Sequence, residues 1–526
     1  MPVFELVVGL LFAGALMAAV ARRMNAPYPA LLALAGAGLA LLPNVPTVML
    51  DPELALALLV APVLLDTAFD ASPRDLKQNW KPVTALAIAA VCLTVVAVAV
   101  VARWVVPTLP WAGAIVLGAI VAPPDAAAAM AVLRQIRPPH RVLVILEGES
   151  LFNDATALLI YRFAVAAALT GAISGWSVIP TLITVGAGSV VLGLVLSRVV
   201  LIVTARVTDI STAVIMQFVS TFAVWMLAER LHLSGIITMV VFAIAVARRA
   251  PDLIPARLRI PSYAVWEVAV FVLNVLAFLL IGLQLKPILQ RLARAELISY
   301  TEIAAAVCGA VIVVRLIWVM GYALVAKFFA RRDGGDGQGG PLYPSIRIAA
   351  VIAWCGMRGI VTLAAALALP IAFPHRDLIL FSSFAVVLVT LVVQGMTVSP
   401  LIGALKLADD GEVEREVRLA RAETARAALD AVDGDASGAE MVRLLQRKYE
   451  ARLRRAEGGS QQGNGADADG APAYVEALKR AQAAERRTLS ELRAEGTIGD
   501  DAFHRLEEEL DWAEINAEAI LGRKEG

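Results

Sequence analysis

The chain has 526 residues, 59% of them apolar and only 17% charged, where a soluble domain carries roughly 25%. A mean hydropathy of +0.73 over that length is too apolar for one buried core and calls for hydrocarbon as solvent; three cysteines (Cys92, Cys308, Cys355) exclude a disulfide scaffold, and no Cys/His pair has zinc spacing. Net charge zero argues against nucleic-acid binding, but it is a cancellation: residues 406–526 hold 19 Lys+Arg against 27 Asp+Glu, and residues 1–405 hold the reverse.

Crossing a bilayer takes about 20 apolar residues at a rise of ~1.5 Å each. Residues 1–405 offer thirteen candidate spans, at 3–21, 28–44, 53–70, 82–106, 111–133, 141–169, 178–204, 210–228, 232–248, 262–285, 297–328, 344–370 and 377–404. No ten-residue segment alternates with period two, so a β-barrel is excluded. The first apolar run has no basic residues before it, and Arg22-Arg23 follow it. It reads as an uncleaved helix with an outward N-terminus. The odd-numbered loops carry 18 Lys and Arg, among them Arg74, Arg141, Arg248 and Arg259, and the even-numbered loops carry 6. That bias places the odd loops and the C-terminal region in the cytoplasm.

The stretch DGGDGQGG at 333–340 is a flexible linker without the Lys-Ser/Thr of a phosphate loop. From Lys406 a polar, Ala/Glu/Arg/Leu-rich cytoplasmic tail begins, with helical blocks at 411–457 and 473–522 around a linker at 458–472. It has no catalytic constellation, so a regulatory or assembly role is expected. The expected architecture is an all-α polytopic membrane protein: a transmembrane domain over 1–405 and a helical tail over 406–526.

Ionisable groups inside spans are the informative ones, because each is costly unless paired or hydrated. Asp125, Asp154, Arg315 and Arg358 lie near the middle of spans 5, 6, 11 and 12. An ion-pair network that only locks helices together is the plainer alternative for the two arginines. Span 5 reads VAPPDAAAAM, and Pro123-Pro124 should break the helix beside Asp125. A broken helix bearing a carboxylate is the usual anatomy of a secondary-transporter ion site. Span 6 carries EGESLFNDAT at 147–156. Glu147, Ser150 and Asp154 share one helical stripe, while Glu149 and Asn153 share another. Hard oxygen ligands suit Na⁺, Li⁺ or K⁺ rather than a transition metal. Glu149 demands a cation; Arg315 is the better placed, but spacing does not decide between it and Arg358. With span 7 as a connector, spans 1–6 and 8–13 form two inverted six-helix repeats. Span 12, with WCGMRGIVT at 354–362, then matches the broken span 5.

EGESLFNDAT at 147–156 and CGMRGIVTLAAALALP at 355–370 resemble the bacterial, NhaP-like Na⁺/H⁺ exchangers of the monovalent cation:proton antiporter family 1. APVLLDTAFD at 61–70 and WEVAVFVLNVLAFLLIGLQL at 266–285 are similar to that family's segments too, so about residues 5–405 are covered. The resemblance implies crossed discontinuous helices, a homodimer, and a mobile core beside a static dimerisation domain. It implies a monovalent cation held by Asp125, Ser150 and Asp154, with Asn153 completing an Asn-Asp pair. It further implies that Glu149 pairs with Arg315 and that Arg358 supports the helix crossing. Here Pro124 precedes Asp125 and Ala126 follows, where the family has Thr-Asp-Pro or a similar order, so one hydroxyl ligand is lost.

The function expected is therefore electroneutral exchange of one Na⁺ (or Li⁺, or K⁺) for one H⁺ across the inner membrane, serving pH and sodium homeostasis. No cofactor and no enzymatic step is needed, and the partners are ions and membrane lipid. Two rivals differ in class. A cation channel would favour repeated pore loops or charged rings; a receptor signalling through its tail would carry no flux. His140, at the inner end of span 6, reads as an ordinary loop histidine in preference to a pH sensor.

Overall fold

The computed structural model describes residues 2–23, 27–42, 51–136, 138–170, 175–291, 294–332, 345–407, 410–433, 449–450, 453 and 471–522. All regular structure among them is helical. The order is α1 (Pro2–Arg23), α2 (Tyr28–Ala40), α3 (Pro52–Ala55), α4 (Ala61–Asp70), α5 (Pro73–Gln78), α6 (Trp80–Thr84), α7 (Val91–Val105), α8 (Trp111–Val121), α9 (Ala126–Ile136) and α10 (His140–Thr170). There follow α11 (Gly175–Thr204), α12 (Ile210–Arg230), α13 (Gly235–Leu253), α14 (Ala256–Leu283), α15 (Leu285–Arg291), α16 (Arg294–Arg332), α17 (Ile346–Trp354), α18 (Ile360–Leu367), α19 (Arg376–Val389) and α20 (Gly395–Leu405). The tail holds α21 (Glu412–Asp433), α22 (Ala471–Ala494) and α23 (Asp500–Gly522).

Among the described residues, seven helical segments are long and apolar enough to cross a membrane. Others are shorter or broken, and the sequence says why. α8 and α9 have 11 residues each, about 16 Å at 1.5 Å per residue, or half the ~30 Å hydrocarbon core. Pro123 and Pro124, which lack amide donors, separate them. α17 and α18 are separated by the non-helical 355–359, which contains Gly356 and Gly359. One wide π-turn, Leu56–Val60, lies just before Pro62, where a helical hydrogen bond is lost anyway. Another, Ala85–Ala90, leaves the Ala85 carbonyl to accept from Trp318 Nε1 at 3.2 Å. Large apolar side chains such as Phe12, Val96, Val191, Ile215 and Ile317 stand exposed on the helices, as hydrocarbon solvent requires.

The helices sort into two bundles. α1, α2, α4 and α11–α14 pack on one another, and α7, α8, α10, α16, α17 and α19 form the second group. The closest packing in the first is α2 against α14. A Cβ on Gly36 would stand 2.3 Å from the Leu279 carbonyl oxygen, and one on Gly282 would stand 2.2 Å from that of Ala33. Small residues let backbones approach where no hydrophobic force between helices exists.

Within 473–522 the tail forms two helices, α22 and α23, joined by a turn at Gly496, whose φ is +73°, the left-handed region glycine adopts freely. Of the block expected at 411–457, α21 covers Glu412–Asp433; residues 434–448 and most of the 458–472 linker lie outside the described residues, as does 333–340. The tail docks on the transmembrane body through ion pairs. Arg74 Nη2 donates to Glu416 at 2.6 Å and Arg74 Nη1 to the Gly496 carbonyl at 3.0 Å. Arg259, buried in α14, holds both oxygens of Asp511 with Nε at 3.0 Å and lies 3.1 Å from Glu507. His140 sits between Asp75 (3.5 Å) and Asp501 (3.3 Å). It is a docking residue rather than an idle loop histidine. Burial pushes the Asp75 carboxyl up, but hydrogen bonds from His140 and Arg74 outweigh this and hold it below the ordinary carboxylate range.

Candidate cation and proton site

The two broken helices meet. The Asp125 amide donates to the Met357 carbonyl at 2.7 Å, which ties one unwound segment directly to the other. Arg358 closes the crossing. Its Nε donates to Val121 O at 3.0 Å, Nη2 to Ala122 O at 3.3 Å and Nη1 to Gly356 O. These are carbonyls left without helical donors by the breaks. Its own amide donates to Thr390 Oγ1 at 3.0 Å. Arg358 is 1% exposed, donates to backbone carbonyls of both segments and does not pair with Glu149.

Asp125 precedes the first residue of α9 and accepts from Ala127 N at 2.9 Å. The backbone amides of Ala128 and Ile360 lie near it as well. Ala128 lies in the first turn of α9, and Ile360 begins α18. Two half-helices thus turn their amide-rich, positive ends toward one carboxylate, which favours negative charge there. A side chain at Gly359 would collide with it: a Cβ would stand 1.5 Å from Asp125 Oδ2 and 2.4 Å from Cγ. Gly359→Ala must displace the carboxylate, and an ångström-scale misplacement is costly. The exchange rate in liposomes is expected to fall by about tenfold or more, with the melting temperature in detergent changing far less. Wild-type flux in Gly359→Ala would contradict this geometry.

α10 supplies the facing groups. Asn153 Nδ2 donates to the Pro124 carbonyl at 3.0 Å, while Asn153 Oδ1 is buried without a partner among the described residues. Asp154 is 6% exposed and has no hydrogen-bond or ion-pair partner among the described residues. The half-buried Ser150 hydroxyl, one turn earlier on the same face, likewise makes no hydrogen bond among the described residues. Pro124, Asp125 and Asn153 are therefore brought together by direct contacts. Ser150 and Asp154 join them by position on α10, and no described group satisfies their oxygens. No group of three or more His, Cys, Asp or Glu side chains that could hold a metal occurs among the described residues.

Glu149 turns the other way and pairs with Arg315. Nη2 donates to Oε2 at 2.8 Å and Nη1 to Oε1, with side chains 3% and 1% exposed. Arg315 Nη2 also donates to the Ile352 carbonyl at 3.1 Å, at α17. The pair links α10, α16 and α17 within the second bundle. Sequence reasoning missed Thr390, whose hydroxyl holds the Arg358 amide from a π-turn at Thr390–Gln394. A lone threonine in an apolar run carries no signal of that kind. It also missed Asp66, which accepts from the Trp266 indole at 3.1 Å.

Two unwound helices crossing beside the half-buried Asp125 and the buried Asp154, inside an all-helical polytopic bundle, define a secondary transporter. The family model for "sodium/hydrogen exchanger, transmembrane" matches residues 7–404. An uncharacterised Na⁺/H⁺ exchanger of Mycobacterium tuberculosis is 32% identical over 466 residues, covering 85% of this chain and 84% of its own. The low-affinity Na⁺/H⁺ antiporter NhaS1 of Synechocystis is 29% identical over 394 residues, covering 73% of this chain and 70% of its own. The sodium proton antiporter MjNhaP1 of Methanocaldococcus jannaschii at pH 8 has the same fold, with a TM-score of 0.59 at 20% identity over 77% of this chain and 99% of that one. The chain belongs to the sodium/hydrogen exchanger family. It is a multi-pass membrane antiporter of monovalent cations and protons, not an enzyme.

Proposed function

We propose that the chain exchanges one Na⁺ for one H⁺ at a single site formed by Asp125, Ser150 and Asp154, with Asn153 and Pro124 fixing its geometry. The observation that carries this reading is Asp154, a buried carboxylate without a partner among the described residues, on the helix facing the crossing. Burial favours the neutral carboxylic acid, and a bound cation favours the carboxylate. One group then holds either a proton or a cation, and binding one weakens the other. Movement of the bundle carrying α10 and α17 against the bundle carrying α2 and α14 would expose the site to each side in turn.

Thirteen crossings in two inverted repeats, with spans 5 and 12 as the paired broken helices, account for the two interruptions and the loop charges together. The N-terminus is placed outside and the tail in the cytoplasm of the inner membrane. The docking contacts support this, because Arg74, His140 and Arg259 all lie in or beside odd-numbered loops. A homodimer, with pH and sodium homeostasis as its task, follows from the family resemblance. A relative in Bacillus subtilis, 29% identical over 360 residues, is described as a sodium, potassium, lithium and rubidium/H⁺ antiporter, so Li⁺ and K⁺ belong in the same assay.

Stoichiometry gives the test. Asn153 is a neutral amide beside Asp154, where a second carboxylate could have carried a second proton. Arg315 cannot release its proton, so the Glu149 pair stays out of the cycle. One proton then exchanges for one cation, and each pH unit, worth ~1.4 kcal/mol, sustains about a tenfold Na⁺ gradient. In proteoliposomes with an internal pH dye, the rate and end-point are expected to be unchanged by a K⁺/valinomycin potential. A potential-dependent end-point would show net charge movement and make Asp125 a second proton carrier.

A further inference from the structure

Between the tail and the membrane body lies an open cleft of about 620 Å³ that the ion-exchange mechanism does not use. Its walls are the last turns of α13 and the C-terminal half of α22, with Phe503 of α23 at the back. Four arginines face it, Arg248, Arg486, Arg487 and Arg493, against two carboxylates, Asp252 and Glu491.

The four arginines are not equivalent. Arg493 is committed: it donates to Asp500 at 2.8 Å and to the Ala247 carbonyl at 3.2 Å, and its guanidinium stacks 4.2 Å from the Phe503 ring centroid. Arg486 is committed to Glu514 at 3.0 Å and Asp511 at 2.6 Å. Arg248 and Arg487 have no ion pair or hydrogen bond among the described residues. One comes from the membrane body and the other from the tail, and they face the same cleft. Their donors are not taken by any described group, and an anion lying in the cleft could accept from both.

We propose that this cleft binds a phosphate-bearing anion, held by Arg248 and Arg487, that fastens the tail to the membrane body. A guanidinium matches a phosphate with two parallel N–H donors, and the volume falls within the ~300–1,000 Å³ of small-molecule sites. It exceeds a bare phosphate and leaves room for a phosphodiester and its glycerol. The phosphate can come from an anionic lipid headgroup or from a soluble ion. The lipid source rests on the cytoplasmic placement of the tail proposed above, since Arg248 then ends a membrane helix at headgroup depth; the soluble source does not.

The test uses the full-length protein in neutral detergent, with melting temperature and protease resistance of the tail as readouts. One arm titrates short-chain phosphatidylglycerol against phosphatidylcholine of the same chain length. The other titrates inorganic phosphate against chloride at equal ionic strength. A ligand that binds the docked state should raise both readouts in proportion to its occupancy. Stabilisation by phosphatidylglycerol alone identifies a lipid headgroup, and stabilisation by phosphate identifies a soluble anion. Arg248→Gln and Arg487→Gln are each expected to weaken the response by about tenfold in ligand concentration. Both side chains are exposed, so the variants should fold and exchange cations without ligand as the wild type does. The proposal is overturned if neither arm exceeds its control, or if the response survives in the Arg248→Gln/Arg487→Gln double variant.

Discussion

Asp154→Asn is expected to abolish cation-driven proton movement in proteoliposomes while leaving a folded protein. Asparagine keeps the volume and some hydrogen-bonding capacity of aspartate but can neither take a proton nor balance a cation. No described group hydrogen-bonds the Asp154 carboxylate, so removing its charge strands no partner. The usual large penalty for breaking a buried pair does not arise. Loss of flux should therefore come with a melting temperature equal to the wild type or above it, because one buried, unpaired carboxylate has been neutralised. Asp125→Asn should also be severe in transport, but its fold is more exposed to damage, since that carboxylate accepts from the Ala127 amide of α9 and packs against Gly359 at the start of α18. Measuring pH-dye responses and melting curves on the same preparations separates the two effects. Wild-type flux in either variant would show that the ion site lies elsewhere.

The break in span 5 and the loosening of span 12 were legible because they rest on local chemistry. Pro123-Pro124 remove donors wherever they stand, and Gly356 and Gly359 bracket a weak spot in an otherwise helical run. The stripe of Ser150 and Asp154 was legible because helical periodicity fixes which residues share a face. What the sequence could not show was which arginine goes where. Arg315 and Arg358 lie at similar depth, and only the packed structure sends one to Glu149 and the other to three carbonyls of the crossing. Tail docking was invisible for the same reason. Arg259 and Asp511 are 252 residues apart, and a pair at that separation leaves no periodic trace. The turn between α22 and α23 did have a signal, two glycines at 496 and 499 followed by Asp500-Asp501 at a helix start. The high Ala/Glu/Arg content around it masked the interruption.

The second large effect concerns the Glu149–Arg315 pair. Both side chains are almost wholly buried, so deleting either partner leaves the other charged in a medium that solvates it poorly. Breaking such a pair typically costs ~3–5 kcal/mol, whereas replacing both partners costs far less. Arg358 cannot step in for Arg315, because its guanidinium already serves Val121, Ala122 and Gly356. Arg315 also supports the Ile352 carbonyl in α17, so Arg315→Gln should be the more damaging single change. Glu149→Gln and Arg315→Gln are each expected to lower the melting temperature in detergent markedly, and the double variant should be more stable than the sum of the single losses allows. The residual flux of the double variant should keep the wild-type ion dependence, because the pair lies behind the site and holds α10, α16 and α17 in register without touching Asp154. Strictly additive losses of stability would show that the two side chains do not depend on each other, and the pair would then be no brace for the helix that presents Asp154.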